Sequence, residues 1–351
     1  MADAEFWDRF NEGKMDRRTF VKVASLLGGG AIFGLPLLGC QPAASVPTKT
    51  TELKMAVPQA MIQANGLYSG NARNMFTQQG ITNVLTEFSG GGDQVRAILT
   101  GGYPLGITST PAGMAAMGTG EPARFIAAGY NALGIGFMVK PDSPLKKPED
   151  LKGKKFKLGF SRPNSNSHIA SVQWLKGLGI DANDKNQVEL VTTGGIPDTW
   201  TAVKTGVVDV GWSAEPTVSQ LEASGDGRTL FMWWDPDFIA VSILTTQGFI
   251  DANASVLKTW VAAYAKAVDW VKNNYSEAAK DLAAVLGIDV SVAETALKKT
   301  PKEVFSAGMP KKAMEHTASV SVDFKLLDKI PDMKVLINQS FLPDNLKDST
   351  Y

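Results

Sequence analysis

Two segments of the chain, residues 88–111 and 191–216, repeat the same pattern at a spacing of 105 positions. The matched pairs are Thr100 and Thr205, Gly101 and Gly206, Gly106 and Gly211, and Pro111 and Pro216. Each copy predicts a strand, a Gly-rich turn, a helix, a tight turn, a second strand and a hydroxyl-bearing turn. The Pro is predicted at the first helical position, where its missing N–H costs nothing. A duplicated unit of this kind predicts two related lobes.

Short apolar runs alternate with helical patterns over the first part of the chain, which predicts α/β layers. The candidate strands are residues 53–57, 84–88, 105–107, 125–128, 135–139, 156–160, 188–191, 207–212, 229–234 and 239–244. Beyond Gln247 the apolar residues follow helical spacing to about Ile330, and we interpret their Trp and Tyr stripe as core packing.

Composition excludes several classes of protein. The 351 residues are 44% hydrophobic and 20% charged, enough to build two lobes around a sizeable core. Thirty-five basic residues balance thirty-five acidic ones, so no bulk positive field favours nucleic acid. One cysteine and two histidines exclude a disulfide framework and most zinc sites. We therefore expect no metal and no cofactor.

The N-terminus has the features of an export signal. Arg17 and Arg18 precede a mild apolar run, residues 23–38, which resembles a twin-arginine signal, and the run ends at Cys40 in a sequence that resembles a bacterial lipobox. We expect residues 1–39 to be removed, Cys40 to carry the lipid and residues 40–51 to form a tether. The folded protein is then predicted to begin near Glu52.

The repeat predicts helix N-termini at the carboxyl ends of strands, where free N–H groups can hold an anion or a carbonyl-like oxygen. The predicted ligand-binding residues are Gln59, Gly91, Gly92, Ser109, Thr110, Ser165, Thr193, Trp212, Ser213 and Glu215. Two alternatives stay open: the glycines and hydroxyls only form turns and caps, and the tryptophans only pack in the core. Glu215 is preferred as a helix-start residue over a ligand contact.

Several phrases carry a family resemblance over nearly the whole chain after Cys40. They are residues 90–97, 106–111, the Lys-rich and Pro-rich phrase 140–155, 206–210 with the following Glu215 and Pro216, and 341–343. The chain resembles solute-binding lipoproteins of ABC importers, the family of nitrate, taurine, alkanesulfonate and thiamine-pyrimidine binders. The resemblance implies an α/β type II periplasmic-binding fold whose two lobes are crossed twice by the chain. We place lobe 1 at residues 52–136 plus 247–345 and lobe 2 at 137–246.

The same resemblance implies the function. We expect a monomeric, lipid-anchored receptor, periplasmic or at the cell surface, that delivers a solute to an ABC permease with its ATPase. Hydroxyl and backbone donors beside Trp212 favour a small organic anion, a sulfonate or carboxylate with an apolar or aromatic part. A thiamine-pyrimidine-like heterocycle is the alternative, because Glu215 could accept hydrogen bonds from its amino groups.

Other functions are less favoured by the sequence. A serine hydrolase would need His168 or His316 as base, and no Gly-x-Ser-x-Gly elbow precedes either. Enzymes on the same fold, a pyrimidine synthase and a menaquinone-pathway lyase, keep an enzyme as the second hypothesis, and a structural or adhesive lipoprotein is the third. Arg162 stands where the family commonly has Gly and Ser, and we interpret it as a surface charge rather than a specificity contact.

Export and anchoring can be tested separately. Changing Arg17 and Arg18 together to Lys is expected to leave precursor in the cytoplasm, because the twin arginines would be the address for export. Cys40→Ala is expected to abolish acylation while leaving export intact. Cell fractionation and palmitate labelling measure the two effects, and label retained on the Cys40→Ala protein would contradict the lipobox assignment.

Overall fold

The computed structural model describes residues 51–59, 61–163 and 165–351, so the proposed export signal, Cys40 and all but the last residue of the tether lie outside the described residues. The strands are β1 Thr51–Pro58, β2 Ile81–Phe88, β3 Leu105–Ser109, β4 Ala123–Tyr130, β5 Leu133–Val139, β6 Phe156–Phe160, β7 Val188–Thr192, β8 Val210–Ser213, β9 Arg228–Asp235 and β10 Val241–Thr246. Each one overlaps a predicted strand, so the alternation of apolar runs is confirmed.

The strands form two sheets of the same topology. The first has the order β2-β1-β3-β10-β4 and the second the order β7-β6-β8-β5-β9. In each sheet three neighbouring strands run parallel, and a fourth pairs antiparallel with the third and with the edge strand. The duplicated sequence unit therefore marks two copies of one sheet, as the repeat predicted.

The helices are α1 Asn65–Ala72, α2 Gly91–Leu99, α3 Thr110–Gly118, α4 Asn166–Gly177, α5 Ile196–Lys204, α6 Thr217–Ser224, α7 Gln247–Asn273, α8 Tyr275–Leu286, α9 Val290–Lys298, α10 Lys311–Asp323 and α11 Met333–Leu336. The repeated unit is β2–α2–β3–α3 in one lobe and β7–α5–β8–α6 in the other. None of the helices in the described ranges combines the length and apolar character needed to cross a membrane.

The two repeated prolines lie one position away from their predicted places. Pro111 is the second residue of α3, and Pro216 is the residue before α6, after a cis peptide bond with Glu215. Both positions suit proline because the first N–H groups of a helix have no partner within it.

Sheet pairing moves both predicted lobe boundaries. The chain passes from the first sheet to the second at residues 131–132 and returns at 236–240. β5 therefore lies wholly in the second sheet, although the predicted boundary at 136 divides it. β10 pairs with β3 and β4 in the first sheet, although the boundary at 246 assigned it to lobe 2. Which sheet a strand joins depends on pairing partners that are distant in sequence. The apolar pattern of the strand does not identify those partners.

The charged phrase 140–155 lies between β5 and β6, so it is a surface segment of lobe 2 and not a connection between the lobes. The Asp150 carboxylate accepts hydrogen bonds from the N–H groups of Lys146, at 2.7 Å, and Lys147, at 3.1 Å. The phrase forms a surface turn with a short 3-10 helix at Pro148–Leu151.

The aromatic stripe of α7 packs in the core of lobe 1. Trp260 is fully buried and stacks between Phe76, at 5.6 Å between ring centroids, and Tyr264, at 5.0 Å. Its Nε1 donates to Asn83 Oδ1 at 2.9 Å. Because the one N–H of this buried indole has a hydrogen-bond partner, its apolar surface stabilises the fold without the penalty of an unpaired buried donor. The core interpretation of the stripe is confirmed.

Candidate functional site

A cavity of about 310 Å³, here called the central cavity, lies between the two lobes. Its polar lining comes from the first turns of α2 and α4 and from the ends of neighbouring strands: Gly90, Gly91, Gly92, Gln94, Ser109, Ser161, Arg162, Ser165, Asn166, Ser167 and Trp212. Its apolar lining includes Pro58, Met61, Phe88, Ala112, Ala115, Ile135, Val241 and Leu326. Both lobes therefore contribute polar and apolar groups to one space.

The start of α2 offers backbone donors to this cavity. Gly90 is the N-cap residue, and no side chain caps the helix. The first N–H groups of a helix have no partner within it and carry the positive end of the helix dipole. A Cβ on Gly91 would lie 2.5 Å from the Cβ of Ser109, so glycine is needed where α2 and Ser109 approach each other. The arrangement suits an anionic or carbonyl oxygen.

Three serine hydroxyls form a cluster at the start of α4. Ser161 Oγ lies 2.8 Å from both Ser165 Oγ and Ser167 Oγ, and the latter two are 3.0 Å apart. Ser165 also caps α4 by accepting the N–H of His168 at 3.2 Å. The cluster holds the turn together and presents hydroxyl groups to the cavity. Its hydrogen-bonding capacity is partly used within the protein.

Three side-chain contacts join lobe 2 to lobe 1 and to the returning crossing. Ser109 Oγ donates to Asn166 Oδ1 at 3.2 Å, and Asn166 Nδ2 donates to the carbonyl of Ala240 at 3.1 Å. Arg162 Nη2 lies 3.2 Å from Asp93 Oδ2. This ion pair joins the loop before α4, which carries Arg162, to α2, which carries Asp93. Arg162 is exposed, as a surface charge would be, and it also lines the cavity and bridges the lobes.

Trp212 is a buried residue that lines the central cavity. Its side chain is 5% exposed, and its Nε1 has no hydrogen-bond partner among the described residues. A buried N–H without a partner costs about 1–3 kcal/mol of stability, so such groups call for an explanation. β8 holds Trp212 opposite Phe137 of β5. Trp212 therefore lies at the cleft, and its contact with a ligand stays a prediction.

Glu215 lies outside the central cavity. It lines a neighbouring space of about 340 Å³ near the crossings, here called the hinge cavity, which shares Gln63 and Ala214 with the central cavity. Ser219 Oγ donates to Glu215 Oε1 at 3.1 Å, the Ser219 N–H donates to Oε2 at 3.2 Å, and Lys299 Nζ lies 3.7 Å away. These contacts favour the helix-start role of Glu215.

The two carboxylates of the hinge cavity differ in their pKa. Burial raises the pKa of Glu215 above its ordinary 4.5, despite the opposing effects of Lys299 and Ser219. Burial alone would also raise the pKa of Glu222, but the hydrogen bonds from Lys299, at 2.6 Å, and Thr229 outweigh it and lower that pKa. Glu215 therefore resists ionisation, and Glu222 stays charged beside Lys299.

Of the predicted site residues, Gly91, Gly92, Ser109, Ser165 and Trp212 meet at the central cavity. Gln59 lines an adjoining cavity instead. The remaining hydroxyls lie elsewhere: Thr110 is fully buried against Ser242 at 2.8 Å, Thr193 Oγ1 bonds to Phe160 O at 3.0 Å and to Thr199 Oγ1 at 2.6 Å, and Ser213 is buried away from the cavities.

Sequence reasoning missed part of the lining. Gln94, Asn166 and Leu326 line the central cavity, and Gln63 lines both it and the hinge cavity. The segment before α4 carried a signal for Asn166, since its hydroxyl-rich turn was visible at a helix start. Nothing local marks Leu326, which lies shortly after α10.

The two histidines have different surroundings. The His168 ring stacks on Phe160, at 4.6 Å between centroids, and meets Phe324 edge-on at 5.8 Å, and burial lowers its pKa. His316 Nε2 lies 2.9 Å from Asp235 Oδ2. Within the described ranges, no group of three or more His, Cys, Asp and Glu side chains is placed to hold a metal ion.

Comparison with known proteins gives a family and a fold. The NMT1/THI5-like family model matches residues 62–278. The alkanesulfonate-binding protein SsuA from Xanthomonas axonopodis pv. citri, bound to MOPS, aligns with a TM-score of 0.69 and 17% identity over 84% of this chain and 100% of its own. The aliphatic sulphonate-binding protein SsuA from Escherichia coli aligns with a TM-score of 0.65 and 18% identity over 82% of this chain and 92% of its own. The nitrate-binding protein NrtA from Synechocystis PCC 6803 aligns with a TM-score of 0.56 and 17% identity over 69% of each chain.

At these identities the structural likeness establishes the fold. The predicted α/β architecture, a two-lobed type II periplasmic-binding fold, is confirmed. No curated protein matches the chain.

The opposite pKa shifts of Glu215 and Glu222 predict that replacing each by Gln changes the melting temperature in opposite directions at neutral pH. Since the pKa of Glu215 is raised in the fold, its ionisation destabilises the protein as pH rises above 4.5, and Glu215→Gln removes that cost. We expect Glu215→Gln to raise the melting temperature at neutral pH and to lose this advantage as pH falls to 4.5 and below.

Glu222→Gln, in the helix that follows Glu215, is the matched control. The lowered pKa of Glu222 means that its ionised form stabilises the fold, so this variant should melt lower at neutral pH and approach the parent as pH falls through that pKa. Thermal unfolding at a series of pH values measures both. Equal pH dependence in the two variants would contradict the assignment.

Proposed function

Because the chain belongs to the NMT1/THI5-like family, we propose that it is the extracytoplasmic solute-binding component of an ABC importer, anchored to a membrane through lipid on Cys40. In this function the protein binds a small organic anion between its lobes and releases it unchanged to a permease with its ATPase. The export and anchoring parts of the proposal are supported by Arg17, Arg18 and Cys40 alone.

One observation carries the proposal: a cavity between two lobes is lined by residues whose donors the protein leaves unused. The uncapped start of α2 and the buried side chain of Trp212, whose Nε1 has no partner among the described residues, line the same 310 Å³ space. Buried donors without partners are costly, and an acceptor atom supplied by a ligand would remove that cost. Since the donors come from both lobes, such a ligand would stabilise the closed arrangement.

The chemistry of the cavity favours an organic anion over an inorganic one. Backbone N–H groups, serine hydroxyls and the Arg162 guanidinium suit the oxygens of a sulfonate or carboxylate. An ion without an apolar part would make no favourable contact with the apolar wall formed by Met61, Phe88 and Leu326. The solved SsuA structure bound to MOPS is consistent with this class, since that ligand joins a sulfonate to a ring.

An aminated heterocycle remains the second candidate ligand, and a single carboxylate decides between them. Glu215 is the acidic group that could accept hydrogen bonds from ring amino groups, and it lines the hinge cavity beside Ser219 and Lys299. For an organic acid in the central cavity, Glu215→Gln should leave affinity unchanged. For a heterocycle that reaches Glu215, it should weaken binding strongly.

A thermal-shift screen over nitrate, alkanesulfonates, taurine, carboxylates and pyrimidines tests the proposal. A ligand at about 100 times its Kd should stabilise the protein by roughly 2.7 kcal/mol. Small-angle scattering should show contraction with the same solute. Recovery of a chemically changed solute after many turnovers would contradict a receptor function.

The indole donor gives a sharper test. Trp212→Phe keeps the ring and removes the N–H, and we expect it to weaken binding of the best anion at least about tenfold, because a hydrogen bond to a charged group is worth roughly 1.5–3 kcal/mol. Ser109→Ala should also weaken binding, by less. Trp174→Phe is the control, since its Nε1 is likewise buried without a partner among the described residues but lies in the core of lobe 2, stacked on Phe137. Equal losses in both Trp variants would contradict the assignment.

The Arg162–Asp93 pair predicts a kinetic effect. It is half-exposed, with side-chain exposures of 53% and 35%, so it should contribute no more than about 1 kcal/mol to the closed state. Asp93→Asn should raise the rate of ligand release up to about fivefold and change the association rate little, with a smaller effect at high salt. Stopped-flow measurements give both rates.

The control for this pair is Glu189→Gln. It breaks a comparable ion pair with Lys157 that lies wholly within lobe 2, at 3.6 Å. Release rates that change as much in the control as in Asp93→Asn would show that the bridge between lobes has no special role. A far larger loss in Arg162→Gln than in Asp93→Asn would instead show that Arg162 contacts the ligand itself.

A further inference from the structure

Lys299 joins the two lobes beside the chain crossings. It directly follows α9 of lobe 1, and its Nζ lies 2.6 Å from Glu222 Oε2 and 3.1 Å from Ser219 Oγ, both on α6 of lobe 2. Glu215 Oε1, just before α6, lies 3.7 Å from the same nitrogen. One ammonium group therefore contacts three side chains of the opposite lobe.

Lys299 is fixed to the body of lobe 1 on its own side. α9 packs against α8, and α8 packs against α1 and α7. Tyr275 Oη, at the start of α8, donates to the carbonyl of Thr300 at 3.1 Å, and the N–H of Lys299 donates to the carbonyl of Thr295 at 3.1 Å. The ammonium group is thus carried by packed helices of lobe 1 and not by a free loop.

The acceptors of Lys299 are held in place within lobe 2. Glu222 Oε1 accepts a hydrogen bond from Thr229 Oγ1 of β9 at 2.5 Å, and the Glu215 carboxylate accepts the N–H and the hydroxyl of Ser219. Within the described ranges, Lys299 is the one cation that pairs with either carboxylate. Hydrogen bonds between charged groups that are already oriented are among the stronger contacts in a protein.

The contact controls the position of α6, and α6 is connected to the central cavity. It follows β8, and Trp212 of β8 lines that cavity. Lys299 itself lines the hinge cavity and, in the described part of the chain, is not part of the lining of the central cavity. Any effect of Lys299 on a solute in the central cavity must therefore act through the arrangement of the two lobes.

We propose that Lys299 is a latch, a positioning residue that holds α6 of lobe 2 against lobe 1 before a solute binds and so sets how far the cleft opens. This inference rests on the proposed function and adds to it the residue that sets the resting state. The apparent Kd of a solute is its intrinsic Kd divided by the fraction of molecules whose lobes are arranged to bind it. Loss of the latch lowers that fraction without removing a group that lines the central cavity.

Small-angle scattering of the solute-free protein tests the latch directly. Lys299→Gln is expected to increase the radius of gyration of the solute-free protein. Saturating butanesulfonate should restore the parent value, because the solute supplies the missing contacts between the lobes. Titration calorimetry should show the apparent Kd for butanesulfonate rising about tenfold, as expected for loss of a hydrogen bond to a charged group. Lys299→Arg keeps the positive charge and should stay close to the parent in both measurements.

Lys298→Gln is the matched control. Lys298 is the neighbouring residue, and its Nζ lies 3.5 Å from Glu294 Oε2 in an ion pair that lies wholly within α9. This variant should change neither the radius of gyration nor the apparent Kd. Glu222→Gln breaks the latch from the side of lobe 2 and should act in the same direction as Lys299→Gln, so the test remains available if Lys299→Gln does not fold.

The solute-free measurement separates the latch from the identity of the solute. A radius of gyration that stays at the parent value in both Lys299→Gln and Glu222→Gln would overturn the latch, and so would an equal increase in Lys298→Gln. If the radius increases as expected but butanesulfonate binds to neither the parent nor the variants, the latch is supported and the organic-anion function fails.

Discussion

The structure depends on the two chain crossings at residues 131–132 and 236–240. They are the places where the backbone passes between the sheets, and they hold the carboxyl strand ends of both sheets toward one cleft. At those ends the chain turns into helices α2, α4 and α5, whose first N–H groups have no partner within the helix. The fold therefore places hydrogen-bond donors of the two lobes on opposite sides of one cleft. The central cavity lies in that cleft.

The hinge side of the cleft is satisfied by the protein itself, and the central cavity is not. Lys299, which directly follows α9, meets Ser219 and Glu222 of α6 and Glu215 just before it, so each carboxylate there has a hydrogen-bond donor. The Ile62 N–H donates to the carbonyl of Glu215 at 3.1 Å and joins the lobes through the backbone. In the central cavity the Trp212 indole is left without such a partner in the described part of the chain. This contrast indicates that the hinge side is a structural contact between the lobes, whereas the central cavity is a surface suited to binding a ligand.

The fold was largely predictable from the sequence, because its signals are local or repeated. The Thr–Gly, Gly and Pro spacing indicated both copies of the strand–helix unit, and the apolar runs indicated all of the strands described. The lobe boundary at 246 was wrong, since β10 is assigned by pairing with β3 and β4 and no local pattern names those partners.

The site was predictable only in part. Gly91 and Ser109 could be selected because both stand at helix starts after strands. Thr110 and Thr193 stand at equivalent places, but their hydroxyls are used by Ser242, Phe160 and Thr199, and the choice of partner depends on packing. Arg162 and Asn166 gain their roles from Asp93 and Ser109 in the other lobe, which sequence spacing cannot reveal.

The strength of these contacts decides what closes the lobes. An exposed ion pair such as Arg162–Asp93 is worth about 0–1 kcal/mol, and a hydrogen bond such as Ser109–Asn166 about 1 kcal/mol. Moving a two-state equilibrium from one per cent to ninety-nine per cent closed takes about 5.5 kcal/mol. The side-chain bridges at the mouth of the central cavity fall well short of that difference, so they can tune the lifetime of a closed state without imposing it. The remainder has to come from a ligand that bonds to both lobes at once, and the unused donors and apolar walls of the cleft are the groups able to supply it.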